Sequence, residues 1–120
     1  MATAVVDAVF QVRKQLGAGL DEDLYKTALG MELTKRHIPF VREASVPVHY
    51  DGVRIGVAVP DFLIDDCLVL EAKAVEKLVP PHFVQTLTYL RFTGRPLALL
   101  VNFHAVPLGP GIRRLVPPPR

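Results

Sequence analysis

The stretch Leu97-Ala98-Leu99-Leu100-Val101-Asn102-Phe103 is apolar almost throughout and shows no alternation. A strand of that kind is buried on both faces, so it needs packed layers above and below it. Half of the 120 residues are hydrophobic, which is enough for such a core and too much for a disordered chain. A chain of this length buries roughly two thirds of its unfolded surface. We expect one domain over residues 1–116 and a short Pro-rich tail at 117–120. No apolar run nears the ~20 residues of a membrane-spanning helix, and Asp7 interrupts the apolar stretch from Ala4 to Phe10, so neither a membrane span nor a signal peptide is expected. The expected location is the cytoplasm. A lone cysteine, Cys67, makes no internal disulfide, and its neighbours Leu68 and Val69 predict a buried, inert thiol. The net charge of +2 leaves the partner open, because nucleic-acid binding depends on a local basic patch and not on a sum.

Val5, Val6, Val9 and Val12 recur at helical steps until Gly17 and Gly19 intervene, and Gly19 is expected to end the turn with a positive φ. Asp21 is placed to cap a second helix, with Glu22 and Asp23 in its first turn and Leu24, Ala28 and Met31 along one face. Ile38-Pro39 should end it. From Phe40 the pattern turns to β. Val46 and Val48 alternate up to Asp51-Gly52, a hairpin turn, and Val53, Ile55 and Val57 return, with the run continuing to Ile64. Pro47 argues for an edge position. Cys67 to Lys73 reads as the next strand after a turn at Asp65-Asp66. Pro80-Pro81 opens a helix with Phe83, Leu87 and Leu90 on one face and Thr93-Gly94 at its end, and Ile112 to Val116 adds an edge strand after the apolar one. This order predicts an α/β sandwich with a small mixed sheet flanked by helices.

Pro60-Asp61, nine residues, then Glu71-Ala72-Lys73 is the constellation that carries chemistry. Two carboxylates can hold a hard divalent cation through oxygen, which suits phosphodiester cleavage, and an ammonium beside them orients water or balances developing charge. On a strand, Glu71 and Lys73 share a face and Leu70 and Ala72 take the other. Asp61 stands opposite Glu71 only if the pairing is centred on Asp66, which requires the odd loop Asp65-Asp66-Cys67; a two-residue turn would oppose Asp61 to Leu70. The residues alone equally allow a solvated Glu–Lys pair and a strand-end aspartate. His82, Gln85 and Tyr89 fall on one helical face, distinct from the Phe83/Leu87/Leu90 face.

With Gly19-Leu20-Asp21-Glu22-Asp23-Leu24-Tyr25 at the second helix, Pro60-Asp61, Glu71-Ala72-Lys73, and then Gln85 and Tyr89-Leu90, the chain resembles the GxxExxY protein family, a small branch of the PD-(D/E)XK nuclease superfamily. The resemblance runs from Gly19 to Arg114. It implies a restriction-endonuclease-like αβββαβ core and a Mg²⁺-dependent nuclease, with Mn²⁺ as a substitute. Asp61 and Glu71 would bind the metal with Glu22 reaching the same site, while Lys73 serves the attacking water and Gln85 assists. His82, Tyr25 and Arg91 would be substrate contacts. Glu22 is also well placed simply to complement the helix dipole and pair with Lys26, and Tyr25 to position Glu22. Lys77, Arg95, Arg113 and Arg114 are further phosphate contacts or plain surface charge, and Asp65 and Asp66 are turn formers. His37 departs from the family, standing where a glycine is often found. The expected partner is nucleic acid, DNA before RNA, with a homodimer or partner protein to enlarge the contact and no membrane involved. The reading from a different class is a non-catalytic nucleic-acid-binding or assembly module that retains the nuclease fold.

Overall fold

The computed structural model describes residues 1–119. Val5, Ala8, Val9 and Val12 form the buried stripe of α1 (Ala2–Leu16). Gly17 closes this helix at φ 77°, a left-handed backbone that suits glycine. Gly19, expected in that role, is not in the left-handed region. In α2 (Glu22–Lys35), Asp21 holds the N-cap position without a side-chain capping bond. Its carbonyl accepts from the Leu24 N–H at 3.1 Å instead.

The buried face of α2 differs from the expected one. Tyr25, Lys26, Leu29 and Leu33 are buried, whereas Leu24 and Met31 are 53% and 70% exposed. Both stripes have helical spacing, and the one that won carries Tyr25, whose ring stacks on Phe103 at 4.7 Å. The helix ends before Pro39 as expected, and His37 adopts φ 57°, where a glycine would sit without strain.

After β1 (Phe40–Arg42) come β2 (Val46–Tyr50) and β3 (Val53–Ala58), a hairpin turned by Asp51 and Gly52, both at positive φ. This hairpin is a two-stranded sheet of its own. The expected unbroken run from Val53 to Ile64 therefore stops, and buried Pro60, which has no N–H to give a ladder, lies in the break. β4 (Phe62–Ile64), β5 (Leu68–Lys73), α3 (Pro80–Thr93), β6 (Leu97–Asn102) and β7 (Ile112–Leu115) follow. The main sheet runs β1-β4-β5-β6-β7 and is antiparallel except where α3 carries the chain from β5 to the parallel β6. This is the mixed, restriction-endonuclease-like α/β architecture.

Alternation sets the two faces of the sheet. Leu68, Leu70 and Ala72 join Leu99, Val101 and Phe103 in the core under α1 and α2, while Val69 and Ala98 meet Leu90 and Leu87 of α3. Glu71 and Lys73 share the parity of Val69, so they face α3. Truncating Leu70 or Leu99 to alanine would cost about 2–5 kcal/mol, since each is at most 1% exposed. Gly94, at φ 67°, ends α3 and donates its N–H to the Leu90 carbonyl at 3.0 Å.

The β4–β5 pairing sets Phe62 against Leu70 and Ile64 against Leu68. It is centred on Asp66 with the three-residue loop that the carboxylate reading demands. Asp65 and Asp66 turn the chain at φ 51° and 52°. Cys67 lies half-buried in this loop and is not the enclosed strand residue expected. No helix among the described residues is long and apolar enough to cross a membrane.

Candidate active site

One more step of the β4–β5 register brings Asp61 against Glu71. The Asp61 N–H donates to Glu71 Oε1 at 2.7 Å, and Asp61 Oδ2 accepts from the Ala72 N–H at 2.8 Å. Each carboxylate thus takes a backbone donor of the opposite strand. Glu71 is only 2% exposed. Burial first, and then the charge of Asp61, push its carboxyl up to about 8, against the pull of the Asp61 N–H and of Lys73.

Lys73 stands two residues on, and its Nζ donates to Gln85 Oε1 at 2.8 Å. Gln85 Nε2 donates to the Tyr89 hydroxyl at 3.3 Å. Burial, followed by the charges of Glu71 and Asp61, holds the Tyr89 hydroxyl above its usual pKa, which keeps it protonated at the edge of the site. The helix-face reading of Gln85 and Tyr89 therefore corresponds to real neighbours. His82, on the same face, spends its Nδ1 on the Val79 N–H at 3.1 Å and so caps the start of α3.

Other expected contacts lie elsewhere. Tyr25 is fully buried, and its hydroxyl donates to the Gly17 carbonyl at 2.6 Å and accepts from the Leu20 N–H at 3.1 Å. No substrate can reach it; it fastens the turn that delivers Glu22. Arg91, six residues after Gln85 and so about 120° away around the helix, lines a groove with Val84, Thr88 and Pro117 on another side of α3. Arg95 pairs with Asp66 at 2.8 Å, and the Arg113 guanidinium lies 5.8 Å from the centre of the Phe83 ring. Lys77 and Arg114 remain exposed.

Two residues missing from the expected set prove central. Lys26 is 7% exposed, with Nζ 3.1 Å from Asp61 Oδ1 and 3.5 Å from Glu22 Oε2. Burial works against its charge, but Asp61 and Glu22 outweigh that and raise its pKa. In sequence it was only the i+4 partner of Glu22; its place next to Tyr25 was the clue. Asn102, paired in register with Lys73, is 2% exposed. Its side chain accepts from the Val75 N–H at 3.1 Å and donates to the Val75 carbonyl at 2.9 Å, pinning the chain as it leaves Lys73. A lone amide in an apolar run was the mark of that role.

The family model of the PD-(D/E)XK nuclease superfamily matches residues 1–115. The chain belongs to the PD-(D/E)XK nuclease superfamily. Nucleases of this superfamily generally use divalent metal ions, and the membership implies a nucleic-acid substrate. No curated protein and no solved structure matched the chain. The donor chemistry of the site suits the superfamily's ions: Asp61 and Glu71 offer hard oxygen, and Mg²⁺ needs only one or two carboxylates because it keeps several waters. A cation beside Glu71 would favour the charged carboxylate that burial, and then the Asp61 charge, disfavour. Among the described residues no group of three or more His, Cys, Asp or Glu side chains is placed to hold an ion by itself.

Proposed function

We propose that this chain is a Mg²⁺-dependent phosphodiester hydrolase of nucleic acid, DNA before RNA, belonging to the GxxExxY branch and working in the cytoplasm. The observation that carries the reading is the Asp61–Glu71 pair, joined through a 2.7 Å bond and flanked by Lys73. Asp61 and Glu71 hold the ion, for which Mn²⁺ substitutes. When bound, the ion supplies an activated water and stabilises charge at phosphorus. Lys73 orients the attacking water and balances the charge that develops in the transition state. Gln85 is a positioning residue that fixes the Lys73 ammonium, and Tyr89 fixes Gln85 in turn. A specific protein–DNA contact buries on the order of 1,000–2,500 Å² of protein, so a homodimer or a partner protein enlarges the binding surface.

The test pairs calorimetric titration of Mg²⁺ and Mn²⁺ with cleavage assays on single-stranded and duplex DNA and RNA. Wild type should bind metal and cleave, and Glu71→Gln should lose both. Metal binding that survives in Glu71→Gln would overturn the site assignment. Neither binding nor cleavage in wild type would leave the chain as a nucleic-acid-binding or assembly module.

A further inference from the structure

We infer that Lys26 fills a cation position inside the acidic site, so that the site takes a single divalent ion and Glu22 serves Lys26 instead of that ion. This rests on the metal-site reading above. Lys26 Nζ stands 3.1 Å from Asp61 Oδ1, 3.5 Å from Glu22 Oε2 and 3.8 Å from Asp23 Oδ1. An ordinary i,i+4 helix pair lies on the surface, but this lysine is buried and reaches across to a residue 35 positions away.

An ammonium is a compact point charge with three donors, and in this site its donors have carboxylate acceptors. Mg²⁺ binds oxygen at about 2.0–2.1 Å in a near-octahedral shell. Oxygens held 3.1 and 3.5 Å from Nζ cannot close to that distance around the same point without ejecting the ammonium. Asp61 is already divided between Lys26 on Oδ1 and the Ala72 N–H on Oδ2. An ion held by Asp61 would therefore have Glu71 as its second carboxylate, with Glu22 kept by Lys26.

Charge leads to the same stoichiometry. With all three ionised, Asp61, Glu71 and Glu22 carry three negative charges against the two positive charges of Lys26 and Lys73, so one divalent ion already takes that set past neutrality. A second would leave it three charges positive in a partly buried site, which is costly. Asp23, with its side chain 86% exposed, is screened by water and adds little. Lys26 thus stands where a second metal would otherwise sit.

The experiment titrates Mn²⁺ into metal-free wild type, Lys26→Gln, Glu22→Gln and Glu71→Gln by calorimetry, and records the electron paramagnetic resonance of the bound ions. Wild type should take one Mn²⁺ with an uncoupled spectrum. Glu71→Gln should lose that ion, and Glu22→Gln should keep it with affinity changed by less than about threefold. Lys26→Gln should take two ions whose spectra show mutual coupling. One ion in Lys26→Gln, two in wild type, or loss of the ion in Glu22→Gln would each overturn the inference. Should Lys26→Gln fail to fold, Glu22→Gln decides alone, retention supporting the inference and loss defeating it. A wild type that takes no Mn²⁺ overturns the metal-site reading itself, and this inference with it.

Discussion

The two hairpins of this molecule are both turned by aspartates at positive φ, yet one holds the candidate chemistry and the other stands outside the core. The outer hairpin closes on the two-residue turn Asp51-Gly52, and its Val53, Ile55 and Val57 are 62%, 66% and 46% exposed. Its register even slips at Val48/His49. The inner hairpin closes on three residues, and every residue of β5 except Lys73 is buried. Turn chemistry secures only that a hairpin forms. Loop parity, with helices covering both faces, decides which side chains it brings together.

Deleting Val69 from β5 breaks this contrast most severely. Every β5 side chain beyond the deletion moves to the other face, Asp61 faces Ala72 instead of Glu71, and the alternation of β5 no longer matches the two cores. We expect loss of about 4 kcal/mol or more in stability and no cleavage, read by denaturant unfolding and a nuclease assay. Inserting one glycine between Asp51 and Gly52 should leave cleavage intact. Next in size, Lys73→Ala should lower cleavage by about 10³-fold with little change in melting temperature, because this side chain is half-buried and holds charge instead of core. Wild-type activity in that variant would remove Lys73 from the mechanism.

The pH behaviour of the inner hairpin gives a smaller effect. A carboxyl whose folded pKa is raised favours the fold below its unfolded value near 4.5, and that contribution is lost as pH climbs to about 8. Glu71→Gln keeps an acceptor for the Asp61 N–H and removes the charge. In chelator at pH 8 it should melt about 4 °C or more above wild type, and the gap should close below pH 4.5; a gap independent of pH would show that the buried Glu71 charge is not its cause. Smallest of all, Ile55→Thr on the outer hairpin should shift stability by no more than about 0.5 kcal/mol, as thermal denaturation would show.

The inner hairpin was legible only in part. Counting showed that Asp61 meets Glu71 across an odd loop and misses it across a two-residue turn, and the sequence allowed both; the three-residue loop Asp65-Asp66-Cys67 in the fold settles the register. The double-faced burial of β6 was plain from Ala98 to Val101. α2 was not, because Leu24, Ala28 and Met31 form as good a stripe as Tyr25, Leu29 and Leu33. Only Phe103, nearly eighty residues along the chain, chooses between them. With the wrong stripe facing inward, Lys26 pointed to solvent and its hold on Asp61 stayed hidden. Likewise, Pro60 marks where the run from Val53 to Ile64 breaks, but nothing local announces that Val53–Ala58 pairs only with Val46–Tyr50.

The last rung of the inner ladder is made of side chains: Asp61 and Glu71 take the amide hydrogens of Ala72 and Asp61 where backbone pairing has ended. Strand ends fray at a much lower free energy than the whole molecule opens. The protein therefore carries its own fuse. Warming should separate these two carboxylates while the cores beneath α1, α2 and α3 are still intact, so that activity fades, reversibly, before the protein melts.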